Sequence, residues 1–123
     1  MTIVPELKPR RSRRSQRKIP RPEYPRPQFT RVEWMKLNGQ WEFEFDDANV
    51  GLSDRWASSS RPFQSRIEVP FSFETAMSGI GDHSFHSCVW YRRDIAIPPE
   101  WSGRRILLYF GAVDYREIGR AHV

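Results

Sequence analysis

The sequence predicts an all-β fold, and three stretches carry that prediction. Over residues 40–46 the aromatics Trp41, Phe43 and Phe45 alternate with Gln40, Glu42, Glu44 and Asp46, the two-residue period of a strand with unlike faces. Over residues 89–97, Val89, Tyr91, Ile95 and Ile97 alternate in the same way with Trp90, Arg92, Asp94 and Ala96. Between these stretches, Ile67 and Val69 alternate with Arg66 and Glu68 up to Pro70, which cannot donate a ladder hydrogen bond and so marks a strand end or sheet edge.

The chain begins with a segment of another character. Residues 1–28 carry nine Lys and Arg against two Glu, a charge of +7, so a net charge of +5 leaves −2 for the remainder. A weakly acidic globular part with a basic tail argues against a nucleic-acid-binding face on the fold itself. Six of the ten prolines lie in this segment and few apolar side chains do, which predicts a disordered basic tail over residues 1–18. Its arginines could neutralise phosphates, but no aromatics are interleaved with them to stack on bases, and no nucleic-acid partner is expected. The alternating prolines of residues 21–28 favour an extended polyproline conformation lying along a surface, anchored by Tyr24.

Order is expected from Phe29, with Asn38-Gly39 as the turn that admits the first strand. The face bearing Glu42, Glu44 and Asp46 reads as solvent-exposed, with no apolar cover to raise a carboxylate pKa for acid/base work. Residues 49–65 form a polar connection in which Leu52 and Trp56 are spaced to pack on the core. Phe71 and Phe73 add bulk after the second strand. A Gly-, Ser-, Asp- and His-rich loop then runs over residues 76–87, long enough to carry function. His83, His86 and Cys88 fall within six residues, but no second cluster completes a tetrahedral set, and no metal or cofactor is expected. Pro98 and Pro99 stop the next strand, Ser102-Gly103 reverses the chain, and residues 104–113 are expected to return antiparallel as a hairpin partner. Ile106-Leu-Leu-Tyr-Phe110 is apolar on both faces, the pattern of a central strand covered on both sides, around which the sheet would be organised.

Cys88 is the single cysteine, so no internal disulfide forms, in keeping with a reducing compartment. The early arginines are followed by Ile19-Pro-Arg-Pro22 rather than the apolar core of a signal peptide, and no apolar run reaches membrane-spanning length. A cytoplasmic protein without a membrane partner is the expectation.

Six blocks in order resemble the amino-terminal sugar-binding domain of glycoside hydrolase family 2: RPEYPRPQ (21–28), LNGQWEF (37–43), VPFSFE (69–74), SGIGD (78–82), VWYRR (89–93) and LLYFGAVDY (107–115). The resemblance covers residues 20–116 and implies a galactose-binding-like jelly-roll β-sandwich, followed in the family by an immunoglobulin-like domain and a catalytic (β/α)8 barrel. The family includes β-galactosidases, β-glucuronidases and β-mannosidases, and this domain alone does not choose among them.

The implied organisation is a tail over 1–18, a partial sugar-binding domain over 19–116, and non-native sequence over 117–123. Residues 118–123, IGRAHV, match the translation of a common sequencing adapter through to its stop codon, so the chain is expected to be a fragment of a longer gene. Retaining hydrolysis needs two carboxyl groups about 5 Å apart, and in the family both are barrel glutamates, so no catalytic residue is expected here. Glu74, Asp82 and Asp114 are read as loop caps, turn residues or surface groups. The loop over 78–87 is the part expected to face a substrate in the complete enzyme, with Asp82, His83 and His86 as rim residues. Some family members place a substrate-contacting polar side chain just before the residue-89 strand, where this sequence has Cys88. The expected partners are a carbohydrate substrate of the full-length parent and the parent's own later domains. The alternatives are a stand-alone carbohydrate-binding module and a basic-tailed adaptor.

Overall fold

The computed structural model describes residues 19–21 and 33–111. The expectations for the tail over 1–18, for Tyr24 and the prolines near it, for Asp114 and for residues 117–123 lie outside the described residues.

Three strands form one antiparallel sheet: β1 (Gly39–Phe45), β2 (Ser65–Val69) and β3 (Val89–Arg92), in the order β2-β1-β3. Single 3-10 turns occur at Ala76–Ser78 and Pro99–Trp101, and no α-helix occurs among the described residues. The fold is all-β in this sense. Gly39 opens β1 at φ 117, a left-handed value that a side chain resists, so the turn read at Asn38-Gly39 needs its glycine. The Asn38 amide then ties the turn to the Pro20 carbonyl at 3.0 Å.

β1 is the central strand, and its register explains both faces of the sheet. Trp41 lies opposite Ile67, and Phe43 lies opposite Ser65 on one side and Tyr91 on the other. Trp41, Phe43 and Ile67 are fully buried, with Leu37, Phe45, Val69, Phe73, Ile80, Val89, Tyr91, Ile95 and Phe110 packed around them. Phe43 meets Phe45 and Tyr91 edge to face at 4.9 and 5.1 Å, the arrangement favoured by the ring quadrupole.

The acidic face of β1 is not solvent-exposed, which corrects the expectation from its charges. Glu44 and Asp46 are buried, and Glu42 is half-buried. Residues 49–64 fold back over this face and bring Trp56, Ala57 and Phe63 against Trp90. Arg92, opposite Glu42 in the register, donates from Nε to Glu42 at 2.6 Å and spends its remaining donors on the carbonyls of Trp56, Ser59 and Arg61. Arg61 pairs with Glu44 at 2.9 Å and stacks over Trp56 at 4.4 Å. Buried carboxylates are tolerated because each has a cation or a set of N–H donors. Trp56 packs as expected from its spacing, whereas Leu52 is exposed because the turns after Val50 point it outward.

The hairpin expected over residues 89–113 does not form among the described residues, which reach 111. β3 ends at Arg92, and its sheet neighbour is β1. Arg93 turns its guanidinium back to the carbonyls of Leu37 and Asn38, so the chain leaves the ladder there. Pro99–Trp101 closes on itself through Trp101 N–H to the Pro98 carbonyl and Ser102 N–H to the Pro99 carbonyl, which leaves no hairpin turn. Ile106, Leu107, Leu108 and Tyr109 are exposed and form no strand, while Phe110 packs on the main core. The organising element is therefore β1, not the apolar run at 106–110.

Candidate functional site

The loop between β2 and β3 is fixed at several points. Ser78, buried, donates its hydroxyl to the Thr75 carbonyl at 2.7 Å and accepts from Ile80 N–H at 3.1 Å. Gly79 and Gly81 take φ values of 84 and 68, which lets the chain double back so that Asp82 N–H reaches the Phe73 carbonyl at 3.1 Å. Asp82 then accepts from Ser84 N–H at 2.8 Å, a local turn bond of the kind expected of Asp in loops. At the far end, the Cys88 carbonyl accepts from Asp46 N–H at 2.9 Å.

Of the three residues read as a substrate rim, the fold brings two together and leaves the third outside. His86 lies with its ring stacked on Phe45 at 3.6 Å and edge-on to Phe73 at 5.7 Å. Its Nδ1 is 2.9 Å from Asp47 Oδ1 and 3.0 Å from Oδ2, and its Nε2 is 3.4 Å from Asp82 Oδ2. His83 is exposed. Phe85, between them, is 90% exposed and is the most exposed large apolar residue described.

Asp47 was missed from the sequence. Position 47 follows the last alternating residue of β1, so periodicity assigns it to a turn, and only the tertiary fold carries the loop 39 residues onward to meet it. Asp46 was assigned to solvent yet is a buried acceptor for Val50 N–H, Gly51 N–H and the Trp90 indole.

The electrostatics of these groups limit their chemistry. Burial pushes the Asp46 carboxyl up, but the Trp90 indole and the amides of Gly51, Val50 and Asn49 outweigh it and hold the pKa below the usual range. Asp82 is lowered chiefly by the Ser84 amide and hydroxyl, and Glu74 by the Ser72 hydroxyl. For His86, burial opposes the charge, and the hydrogen bond and charge of Asp47, followed by those of Asp82, overcome it and raise the pKa. Burial and the nearby Asp46 carboxylate raise the Cys88 thiol, the reverse of an activated nucleophile. Burial and then Glu74 push Tyr91 up to about 12. A glycosidic general acid needs a carboxyl raised toward neutrality. Asp46, Glu74 and Asp82 move the other way. Among the described residues, no group of His, Cys, Asp and Glu is arranged to hold a metal ion. Asp47 and Asp82 approach opposite ring nitrogens of His86 instead of converging on one point.

No protein-family model matches the sequence. Over 99 residues, 77% of this chain, it is 29% identical to a β-glucuronidase from Paenibacillus borealis, and the match spans 16% of that protein's length. The similarity supports a relationship to a glycoside hydrolase. No helix among the described residues is long and apolar enough to cross a membrane.

Proposed function

We propose that this chain is the amino-terminal, non-catalytic sugar-binding part of a glycoside hydrolase of the family 2 kind, with a jelly-roll β-sandwich as its complete fold. The observation that carries the reading is the match itself: most of this chain corresponds to 16% of a β-glucuronidase. The site supports it, because the carboxylates shifted by their surroundings, Asp46, Glu74 and Asp82, are held ionised and engaged in turns. They act as fasteners for loops, and the two carboxyls of a retaining mechanism would come from a barrel elsewhere in the parent. The partners in this reading are a carbohydrate substrate and the parent's immunoglobulin-like and barrel domains, in a cytoplasmic setting. Asp82, His83 and His86 would lie toward the substrate on the 76–87 loop.

The test is a chimera in which this chain replaces the matching segment of the Paenibacillus borealis relative, assayed beside the chain alone on a chromogenic β-glucuronide. Turnover is expected from the chimera and none from the chain alone. Turnover by the chain alone, or a folded but inactive chimera, would overturn the reading. A second reading, a stand-alone carbohydrate-binding module, is favoured by Phe85, whose 90% exposed ring could stack on a sugar face. The two separate when both measurements are made: a folded but inactive chimera together with saturable, Phe85-dependent binding of glucuronic acid by the chain alone supports the module.

A further inference from the structure

One imidazole joins the two segments that meet at the end of β1. Asp47 belongs to the turn after β1 and Asp82 to the loop that returns toward β3, and they face the two nitrogens of His86. The His86 side chain is 11% exposed and held flat on Phe45, so neither nitrogen can swing freely into water. An ionised carboxylate only accepts hydrogen bonds, and a neutral imidazole has one N–H and one lone pair. In the neutral form, then, one of the two carboxylates must face a lone pair. Nε2 is buried and has no hydrogen-bond partner, with the Asp82 carboxylate 3.4 Å away, so only the imidazolium offers a proton toward both carboxylates.

We propose that His86 is a protonation-dependent latch: charged, it pairs through Nδ1 with Asp47 of the turn after β1 and presents Nε2–H to Asp82 of its own loop, and neutral, it gives up the ion pairing and one of these two protons, which loosens residues 82–86. The groups around it favour the charged form. From the end of β1 come Asp46 and Asp47, of which Asp46 is already committed to Trp90, Val50 and Gly51. From its own loop come Asp82, His83 and the Cys88 thiol, whose raised pKa keeps it neutral. From the Phe73 segment comes Glu74, whose carboxyl is held low chiefly by the Ser72 hydroxyl. Burial works against the charge on His86, and Asp47 and Asp82 prevail, so its pKa is raised. The raised direction fixes the sign. The tie is complete below the unfolded histidine value of about 6.5 and is lost as pH rises through the folded value. What loosens is the loop carrying His83 and the exposed Phe85. The latch is independent of any role in sugar binding.

The experiment is an NMR titration of the His86 ring in the full chain, with amide hydrogen exchange over residues 79–88 followed across the same pH range and corrected for intrinsic rates. The expected midpoint lies above about 6.5, loop protection falls as it is passed, and Asp47→Asn shifts the midpoint downward. Asp47 is exposed, and that substitution keeps its size and removes only charge, so the fold is retained. In His86→Gln, loop protection should no longer follow pH in this range. A wild-type midpoint at or below 6.5, a midpoint unmoved in Asp47→Asn, or loop protection indifferent to the His86 transition would each overturn the proposal, and none of these readouts depends on sugar binding or turnover.

Discussion

Asp46 sits 2% exposed at the end of β1 with three donors on its two oxygens: Val50 N–H at 2.8 Å, Gly51 N–H at 2.8 Å and the Trp90 indole at 2.9 Å. A buried carboxylate without such donors would be expelled or protonated. With them it becomes the nucleus of the turn that folds residues 49–64 over the sheet. The turn also needs Gly51, because a Cβ there would lie 2.4 Å from Trp90 Nε1 and drive the indole off Asp46. Asp46→Asn replaces an acceptor oxygen by an amide that faces donors, and is expected to lower stability by about 1–3 kcal/mol in urea melts at pH 7. The pH dependence has a definite sign. A lowered pKa means that the contribution of Asp46 is present above about 3.9 and lost as pH falls through the folded value, so the variant should show a shallower loss of stability in acid than the wild type. None of this was legible at position 46, since alternation reports which residues share a face and says nothing of what covers it.

The aromatic side of β1 was legible in full: Trp41, Phe43 and Phe45 share the core with Ile67 and Tyr91 because their alternation matches the pleat. The polar side was misread because its cover comes from a segment rich in Ser, with Trp56 and Phe63 as sparse apolar contacts. Arg92 closes this second layer. Its planar fork spans Glu42 and three carbonyls of the covering loop, and its ring-facing carbon lies 4.1 Å over Phe63. A lysine keeps the charge but has neither the fork nor the flat face. Arg92→Lys should therefore cost about 1.5–3 kcal/mol, the range for losing hydrogen bonds to a charged group. The same variant should raise trypsin cleavage after Arg55 while leaving the β1–β2 amides protected from exchange. Equal loss of protection across both would show that the loop and the sheet are one cooperative unit.

Across the whole set of described residues, the sheet has an apolar core on one face and a charged, aromatic layer on the other, and the run at 106–109 joins neither. Pattern alone made residues 106–110 a central strand covered on both faces. Both edges of β1 are taken by β2 and β3, and the run joins the outer edge of neither. Leu107 is 74% exposed and Ile106 48%, and the segment is held at its ends by the Arg104 to Glu33 ion pair and by the packing of Phe110. An exposed apolar run of this kind recruits other chains. Leu107→Lys places a charge in the middle of it, the change by which edges are blunted against association. The expected outcome is stability within about 0.5 kcal/mol of the wild type, as for an exposed position, with a larger soluble fraction and less dependence of light scattering on concentration. If Leu107 were instead buried as the pattern suggested, losing its side chain from the interior would lower stability by about 1.5–3 kcal/mol, so a urea melt of this one variant decides between an exposed run and a central strand.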